Sequence, residues 1–145
     1  MKLLILNGPN INLLGVREPA IYGKEDYAAL CKLIDTTCAK HGVDYRHFQS
    51  NHEGDLVTEI QSAYGQYDGI VINPAAYTHT SVAILDALKA VGIPTCEVHS
   101  SDVDSREAFR RFSYVSLYAE KVIKGRGIQG YADAIEYFVQ KEKAK

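Results

Sequence analysis

Short apolar runs alternate with segments of helical hydrophobic period along the whole of this 145-residue chain. The apolar runs predict five β-strands, at residues 2–7, 44–49, 69–73, 94–99 and 121–124. Three of the runs are almost entirely apolar, which is typical of parallel strands that are covered on both faces. The alternation of strands with helices predicts an α/β domain.

Four stripes of apolar residues at helical spacing predict the main helices, and a shorter helix is predicted at residues 105–112. The first stripe stops before Gly42, a residue type that commonly ends helices. We expect the stripe residues in the core. They are Tyr27, Leu30, Cys31, Ile34 and Cys38; Leu56, Ile60, Ala63, Tyr64 and Tyr67; Val82, Leu85, Leu88 and Val91; and Ile128, Tyr131, Ala132, Ile135 and Phe138.

Five strands with intervening helices predict a flavodoxin-like three-layer sandwich, with a five-stranded parallel sheet of order 2-1-3-4-5. In such sheets, ligands bind outside the carboxyl ends of the strands, near the position where the strand order reverses. The segments at these ends, residues 7–10, 73–79 and 97–101, hold the densest polar groups of the chain. We therefore predict the site at this edge of the sheet, in a single catalytic domain spanning residues 1–145.

The net charge and the cysteine content indicate what class of partner the chain binds and which compartment it occupies. With 16 Lys and Arg against 18 Asp and Glu, the formal charge of -2 offers no basic surface to nucleic acid or anionic lipid. The N-terminal apolar run stops at Asn7, too soon for a signal peptide or a membrane span. Cysteines at positions 31, 38 and 96 form no CxxC pair and no even set, which predicts a reducing compartment, the cytoplasm. We expect a small-molecule partner, with no nucleic acid and no membrane.

Residues 10–23 are too long and irregular for a plain connection in an α/β fold, and we predict that they form a mobile lid. Arg17 and Tyr22 lie five apart in this segment. An arginine within a few ångströms lowers a tyrosine pKa by roughly one to three units, which makes tyrosinate accessible as a base. The alternative is an exposed arginine and tyrosine without any role.

Glu97 and His99 lie two apart at the end of a predicted strand, so their side chains share one face. A carboxylate orients a neighbouring imidazole and favours its protonated form, which suits His99 to general acid catalysis. The alternative is a purely structural pair. Residues 78–81 are predicted as the first turn of the third helix, where backbone amides attract an anion, although simple N-capping would also explain them.

The sequence does not support a dinucleotide, phosphate-loop or metal site, although parts of it match such patterns. Residues 125–130 satisfy G-x-G-x-x-G, but no following strand with an acidic ribose-binding residue fits before the C-terminus, so the glycines are predicted to form a tight turn. The first strand ends without a Walker loop or acidic residues for Mg²⁺. His79, Asp86, Glu97 and His99 lack compact metal-ligand spacing, and we predict neither metal nor cofactor.

A series of sequence blocks resembles the type II 3-dehydroquinate dehydratase family. The blocks are residues 7–15, 17–19, 21–23, 49–54, 72–74, 76–81, 97–99, 113–116 and 129–131. The resemblance implies a flavodoxin-like fold, assembled as a dodecamer of four trimers. It also implies conversion of 3-dehydroquinate to 3-dehydroshikimate with neither metal nor Schiff base.

The resemblance also implies roles for individual residues. Tyr22 would remove the proton beside the ketone, Arg17 would keep it ionised, and Asn10 would stabilise the enolate through a bound water. His99 would protonate the departing hydroxyl while Glu97 holds it. The resemblance implies that Asn73 and the backbone amides of Ser100 and Ser101 bind the substrate carboxylate. His79, Arg110 and Asp86 would bind the substrate hydroxyls. Asp86 would do so in the site of a neighbouring subunit.

The departures from the family pattern are local. Ser100, Asp102 and Asp104 stand where the family usually has an apolar residue, Asn and His. The two acids add negative charge beside a site for an anion, so weaker binding or altered subunit contacts are expected. Two other functions stay open, a non-catalytic flavodoxin-like binding module and a metal-dependent lyase. Aromatic biosynthesis and quinate breakdown need the same reaction and are not distinguished.

Overall fold

A computed structural model describes residues 1–16 and 25–145 of the chain, and within them it has five β-strands and four α-helices. All strands are parallel, in the order β2-β1-β3-β4-β5, which confirms the predicted sheet. The strands are β1 Lys2–Asn7, β2 Asp44–Gln49, β3 Gly69–Asn73, β4 Thr95–His99 and β5 Lys121–Lys124, and the helices are α1 Tyr27–His41, α2 Glu53–Ser62, α3 Val82–Val91 and α4 Gln129–Lys143.

Helices cover both faces of the sheet and create two hydrophobic layers. In β1, Leu3 and Ile5 pack with α1 and α4, whereas Leu4 and Leu6 pack with α2 and α3. Successive strand residues point to opposite faces, so a strand that is buried on both faces must be apolar throughout. The continuous apolar runs follow from this three-layer arrangement.

The ends of two helices differ in how well they were predicted. Gly42, with a φ of 65°, ends α1 as expected. Helix α3 instead begins at Val82, with Ser81 Oγ accepting a hydrogen bond of 3.0 Å from Ile84 N. The prediction that residues 78–81 form the first turn of this helix is therefore wrong. Those residues belong to the 3-10 helix Ala75–His79 and the N-cap that follows it.

The predicted helix at residues 105–112 is also wrong, because two short 3-10 helices, Val103–Ser105 and Ala108–Arg110, occupy this region. The Asp102 side chain accepts a hydrogen bond of 3.2 Å from Asp104 N. Such local bonds between side chain and backbone compete with continuous helix formation.

Smaller errors concern the limits of elements. Helix α2 ends at Ser62, before the left-handed Gly65, and Tyr64 is therefore 69% exposed rather than in the core. Val82 is also exposed, although its stripe predicted burial. Strand β4 begins one residue after Pro94, which has no backbone N–H to donate to the ladder.

At the carboxyl edge of the sheet, the loops after β1 and β3 press together. Gly8 N donates a hydrogen bond of 2.8 Å to Asn73 O. A Cβ at Gly8 would lie 2.4 Å from Pro74 O, so only glycine fits this approach. The two loops are thereby held together where the strand order reverses.

Residues 17–24, which include positions 17–23 of the predicted lid, lie outside the described residues. The lid and the extent of the single domain therefore stay predictions. Within residues 1–16 and 25–145, no helix is long and apolar enough to cross a membrane.

Candidate active site

A pocket lies at the carboxyl ends of β1, β3 and β4, where the fold predicts a ligand site. It is a cleft that is partly open to solvent, with about 670 Å³ of space when the open part is counted. Seven of the predicted site residues line it: Asn10, Asn73, His79, His99, Ser100, Ser101 and Arg110. Sequence order separates these residues widely, and the parallel sheet brings them together.

The loop after β1 is held in a defined conformation at the pocket. Asn10 has a φ of 70°, a left-handed conformation that asparagine tolerates better than most residues. Its backbone N–H donates a hydrogen bond of 3.0 Å to Asn51 Oδ1, from the segment that follows β2. Asn51 Oδ1 also accepts a bond of 3.2 Å from Gln49 Nε2. The position of Asn10 is therefore set by contacts with the neighbouring strand.

Glu97 and His99 form a buried pair at the end of β4, as their spacing predicts. Glu97 is fully buried and His99 is 5% exposed. His99 Nε2 and Glu97 Oε2 share a short hydrogen bond. Because Nε2 is engaged with the carboxylate, Nδ1 is the ring nitrogen that stays available to a ligand.

Two serines complete the surroundings of the Glu97 carboxylate. Ser113 Oγ donates to Oε2 at 2.7 Å, and Ser116 Oγ donates to Oε1 at 2.6 Å. Burial opposes ionisation of this carboxyl, but the bonds from His99 and the two serines outweigh it and lower the Glu97 pKa. Glu97 is therefore an ionised partner for a proton on His99.

His79 and Arg110 reach the pocket from the segments after β3 and β4. His79 Nδ1 lies 2.8 Å from Phe112 O. Because a carbonyl only accepts, Nδ1 must carry a proton, which leaves Nε2 for a ligand. Arg110 Nε donates a bond of 2.8 Å to Glu107. The two side chains thus add a ring nitrogen and a guanidinium to the same wall.

The glycines at residues 125–130 form the turn that the sequence predicts, and this turn supports the pocket. Gly125 and Gly127 have φ values of 76° and 55°. Gly125 N donates to both His99 O and Ser101 O at 3.1 Å, and Gly127 N donates to Ser100 O at 3.0 Å. These contacts hold the backbone that carries Ser100 and Ser101 against the pocket.

The two unusual acids near the site each have a local partner. Asp104 Oδ2 accepts a bond of 2.7 Å from Lys124 Nζ, which lowers the Asp104 pKa. Asp102 caps the 3-10 helix Val103–Ser105. Neither side chain lines the pocket. The charge of Asp104 is therefore paired with a lysine outside the pocket.

Four of the predicted site residues are not among the described residues that line this pocket. Glu97 is buried and does not line it. Asp86 is exposed on α3 and does not line it either. Arg17 and Tyr22 lie outside the described residues. Within the part of the chain that the structure describes, no group of three or more His, Cys, Asp and Glu side chains is placed to hold a metal ion.

The family model described as Dehydroquinase class II matches residues 1–139. This chain belongs to that family.

Two curated relatives and one solved structure illustrate how far the similarity extends. The chain is 57% identical over 137 residues to the 3-dehydroquinate dehydratase of Streptomyces avermitilis, covering 92% of this chain and 85% of that protein. It is 50% identical over 144 residues to the catabolic 3-dehydroquinase of Phaeosphaeria nodorum, covering 99% and 95%. The type II dehydroquinase structure from Butyrivibrio crossotus matches with a TM-score of 0.92 and 47% identity, covering 94% and 96%. The similarity therefore extends over nearly the whole chain.

Sequence reasoning did not identify three residues of this class II dehydroquinase site. Arg106 lines the pocket with an 11% exposed side chain. It precedes Arg110 by four residues, and that spacing in the predicted helix was the available signal. Ser113 and Ser116 were recognised only as part of a family block, because nothing local in the sequence connects them to Glu97.

Proposed function

We propose that this chain is a hydro-lyase that dehydrates 3-dehydroquinate to 3-dehydroshikimate. The observation that carries the proposal is the buried Glu97–His99 pair at the pocket of a class II dehydroquinase. A proton beside a ketone is removed, an enolate forms, and the hydroxyl leaves as water. This elimination needs a base and an acid placed on opposite sides of one ring.

His99 serves as the acid in this proposal. Its Nε2 is bonded to Glu97, so Nδ1 delivers the proton to the departing hydroxyl. The enolate electrons then form the new carbon–carbon double bond as the carbon–oxygen bond breaks and water leaves. Glu97 keeps the ring oriented and supplies the negative charge that a buried imidazolium requires.

Tyr22 serves as the base and Arg17 as the cation that favours its ionised form. Both assignments rest on the family resemblance, because these residues lie outside the described part of the chain. The loop after β1 leads into their segment and places Asn10 at the pocket. Asn10 would hold a water against the enolate oxygen, where negative charge develops.

The remaining pocket residues bind the substrate. Asn73 and the backbone amides of Ser100 and Ser101 hold the carboxylate, while His79 and Arg110 meet the hydroxyls. Arg106 adds a second guanidinium, and two positive charges in the lining suit an anionic ligand.

We further propose a dodecamer built from four trimers, in the cytoplasm. Large apolar side chains at Phe109, Phe112 and Leu117 are more than half exposed, which supports a subunit contact beside the pocket. Asp86 would then reach the pocket of a neighbouring subunit. The three cysteines are free, which supports a reducing compartment. Light scattering should give twelve times the 16.1 kDa chain mass, and a trimer or monomer would contradict the assembly.

The shared reaction serves either the shikimate pathway, in aromatic amino acid biosynthesis, or quinate catabolism. Relatives with both kinds of name match this chain to a similar extent. Deletion of this chain in its source organism distinguishes the two roles. Loss of growth without aromatic amino acids would support the biosynthetic role, and loss of growth on quinate alone would support the catabolic one.

The proposal is tested by following the ultraviolet absorbance of the conjugated product with purified protein and 3-dehydroquinate. We expect turnover that survives exhaustive chelation and is lost in His99→Ala. Tyr22→Phe should lose turnover while keeping ligand affinity, and Tyr64→Phe, at an exposed site, is the matched control. A wild-type chain that binds the compound without converting it would instead support the binding module, and loss of turnover on chelation would support a metal-dependent lyase.

A further inference from the structure

Four polar side chains form a row that runs from the pocket into the sheet, and all but the half-buried His47 at its far end are buried. Asn73 Nδ2 lies 2.9 Å from Tyr131 OH, which in turn bonds to Asn7 Oδ1. Asn7 Nδ2 lies 2.8 Å from His47 Nε2. Tyr131 and Asn7 are fully buried, and Asn73 is 4% exposed. Buried polar groups of this kind keep their place only when each one has a partner.

The direction of every hydrogen bond in this row is determined by its neighbours. Ala75 N donates to Asn73 Oδ1 at 3.0 Å, so the amide nitrogen of Asn73 must face Tyr131. The Tyr131 hydroxyl accepts that bond and gives its single proton to Asn7 Oδ1. The amide nitrogen of Asn7 then donates to His47 Nε2.

The far end of the row is consistent with this direction. An imidazole that accepts at Nε2 is neutral and carries its proton on Nδ1. His47 Nδ1 lies 3.9 Å from Cys31 Sγ, a weak acceptor. Burial lowers the pKa of His47, which favours the neutral ring. No donor in the row therefore faces another donor.

This arrangement decides what Asn73 offers to the pocket. Its oxygen is occupied by Ala75, and one amide hydrogen is bonded to Tyr131. The second amide hydrogen is left for a ligand, so Asn73 presents a donor and not an acceptor. A carboxylate accepts such a bond, whereas a flipped amide would turn an oxygen lone pair toward the anion.

We propose that Tyr131 is a positioning residue for substrate binding, whose hydroxyl holds the Asn73 amide in the orientation that donates to the substrate carboxylate. The inference rests on the proposed function, because it needs the carboxylate to bind at Asn73. The hydrophobic stripe of α4 accounts for the aromatic ring of Tyr131 in the core, but a phenylalanine would fill that role as well. Only the hydroxyl connects the core to the pocket.

The test is a double-mutant cycle on the dehydration reaction. Tyr131→Phe should raise KM about tenfold, equivalent to ~1.4 kcal/mol, and change kcat less than about threefold. In an Asn73→Ala background the same change should leave KM within about twofold, because Tyr131 acts only through Asn73. Tyr137→Phe, on the same helix with its hydroxyl bonded to exposed Glu120, is the matched control and should leave KM unchanged.

The possible results distinguish failure of this inference from failure of the proposed function. An equal KM increase in both backgrounds, or no KM increase in Tyr131→Phe, overturns the inference while the proposed function stands. A wild-type chain without dehydratase activity overturns the proposed function, and this inference with it. If Tyr131→Phe does not fold, Asn7→Ala removes the acceptor that orients the hydroxyl, and it should raise KM with the same dependence on Asn73.

Discussion

Replacing Glu97 with glutamine isolates the negative charge that faces His99. The carboxylate accepts bonds from His99 and Ser113 on Oε2 and from Ser116 on Oε1. If the glutamine oxygen takes the place of Oε2, it still accepts the bonds from His99 and Ser113. Ser116 Oγ then rotates to accept from the new amide nitrogen, so the pair loses its charge with little change in shape.

The expected effect follows from the burial of the pair. His99 is 5% exposed, and a protonated ring at that depth needs a compensating charge. In Glu97→Gln this compensating charge is absent, so a proton on the ring loses its stabilising partner. Loss of general acid catalysis should reduce kcat about 10²- to 10⁴-fold. KM should change little, since Glu97 does not line the substrate pocket.

The assay is the absorbance of the conjugated product, recorded across a pH series. Activity of Glu97→Gln should stay far below the wild-type value across the series, because the charge that stabilises a protonated His99 is absent. His99→Ala should lose turnover as well. Ser116→Ala keeps the charge and should lose less than about tenfold in kcat. A kcat for Glu97→Gln within about threefold of the wild-type value, with an unchanged pH profile, would refute the assigned role of the pair.

Three further predictions concern stability and the local charges. Gly8→Ala, which puts a Cβ 2.4 Å from Pro74 O, should lower the free energy of unfolding by about 2 to 3 kcal/mol and reduce kcat/KM, measured by urea unfolding and steady-state kinetics. Gly54→Ala, where a Cβ meets nothing within 4 Å, is the control that should cause no loss. Burial lowers the pKa of His47 below its unfolded value, so its stabilising effect is complete above about pH 6.5 and is lost as the pH falls through the folded pKa. The stability advantage of the wild type over His47→Gln should therefore shrink as the pH falls below about 6.5, and a constant difference would contradict the neutral ring. Asp104→Asn should leave KM within about twofold, because the carboxylate pairs with a lysine outside the pocket, and a large fall in KM would show that its charge opposes the substrate.

Local periodicity was enough to predict the framework of this protein. The apolar runs and helical stripes indicated the strands and the four main helices, because these patterns report burial on one or both faces of an element. The strand order followed from the alternation of strands with helices and the rules for crossovers. The carboxyl edge followed from the topology. The pairing of Glu97 with His99 followed as well, since residues two apart in a strand share a face.

The sequence predictions were wrong where the local structure does not depend on burying an apolar face. Residues 105–112 and Ala75–His79 form short 3-10 turns, whose bonds lie within a few residues and leave no apolar stripe to detect. Tyr64 continued a helical pattern beyond the actual end of α2. In each case side-chain capping or a left-handed glycine outweighed the periodic signal.

The sequence by itself determined the layers, the strand order and, through family resemblance, the candidate chemistry. Only the tertiary structure decided the partners of the site: Ser113 and Ser116 reach Glu97 across 16 and 19 residues, and Tyr131 reaches Asn73 across 58. Periodicity correctly placed the ring of Tyr131 in the core but carried no information about its hydroxyl. A hydrogen bond depends on the direction and distance of two groups in space, and these are defined only when the strands and helices have packed.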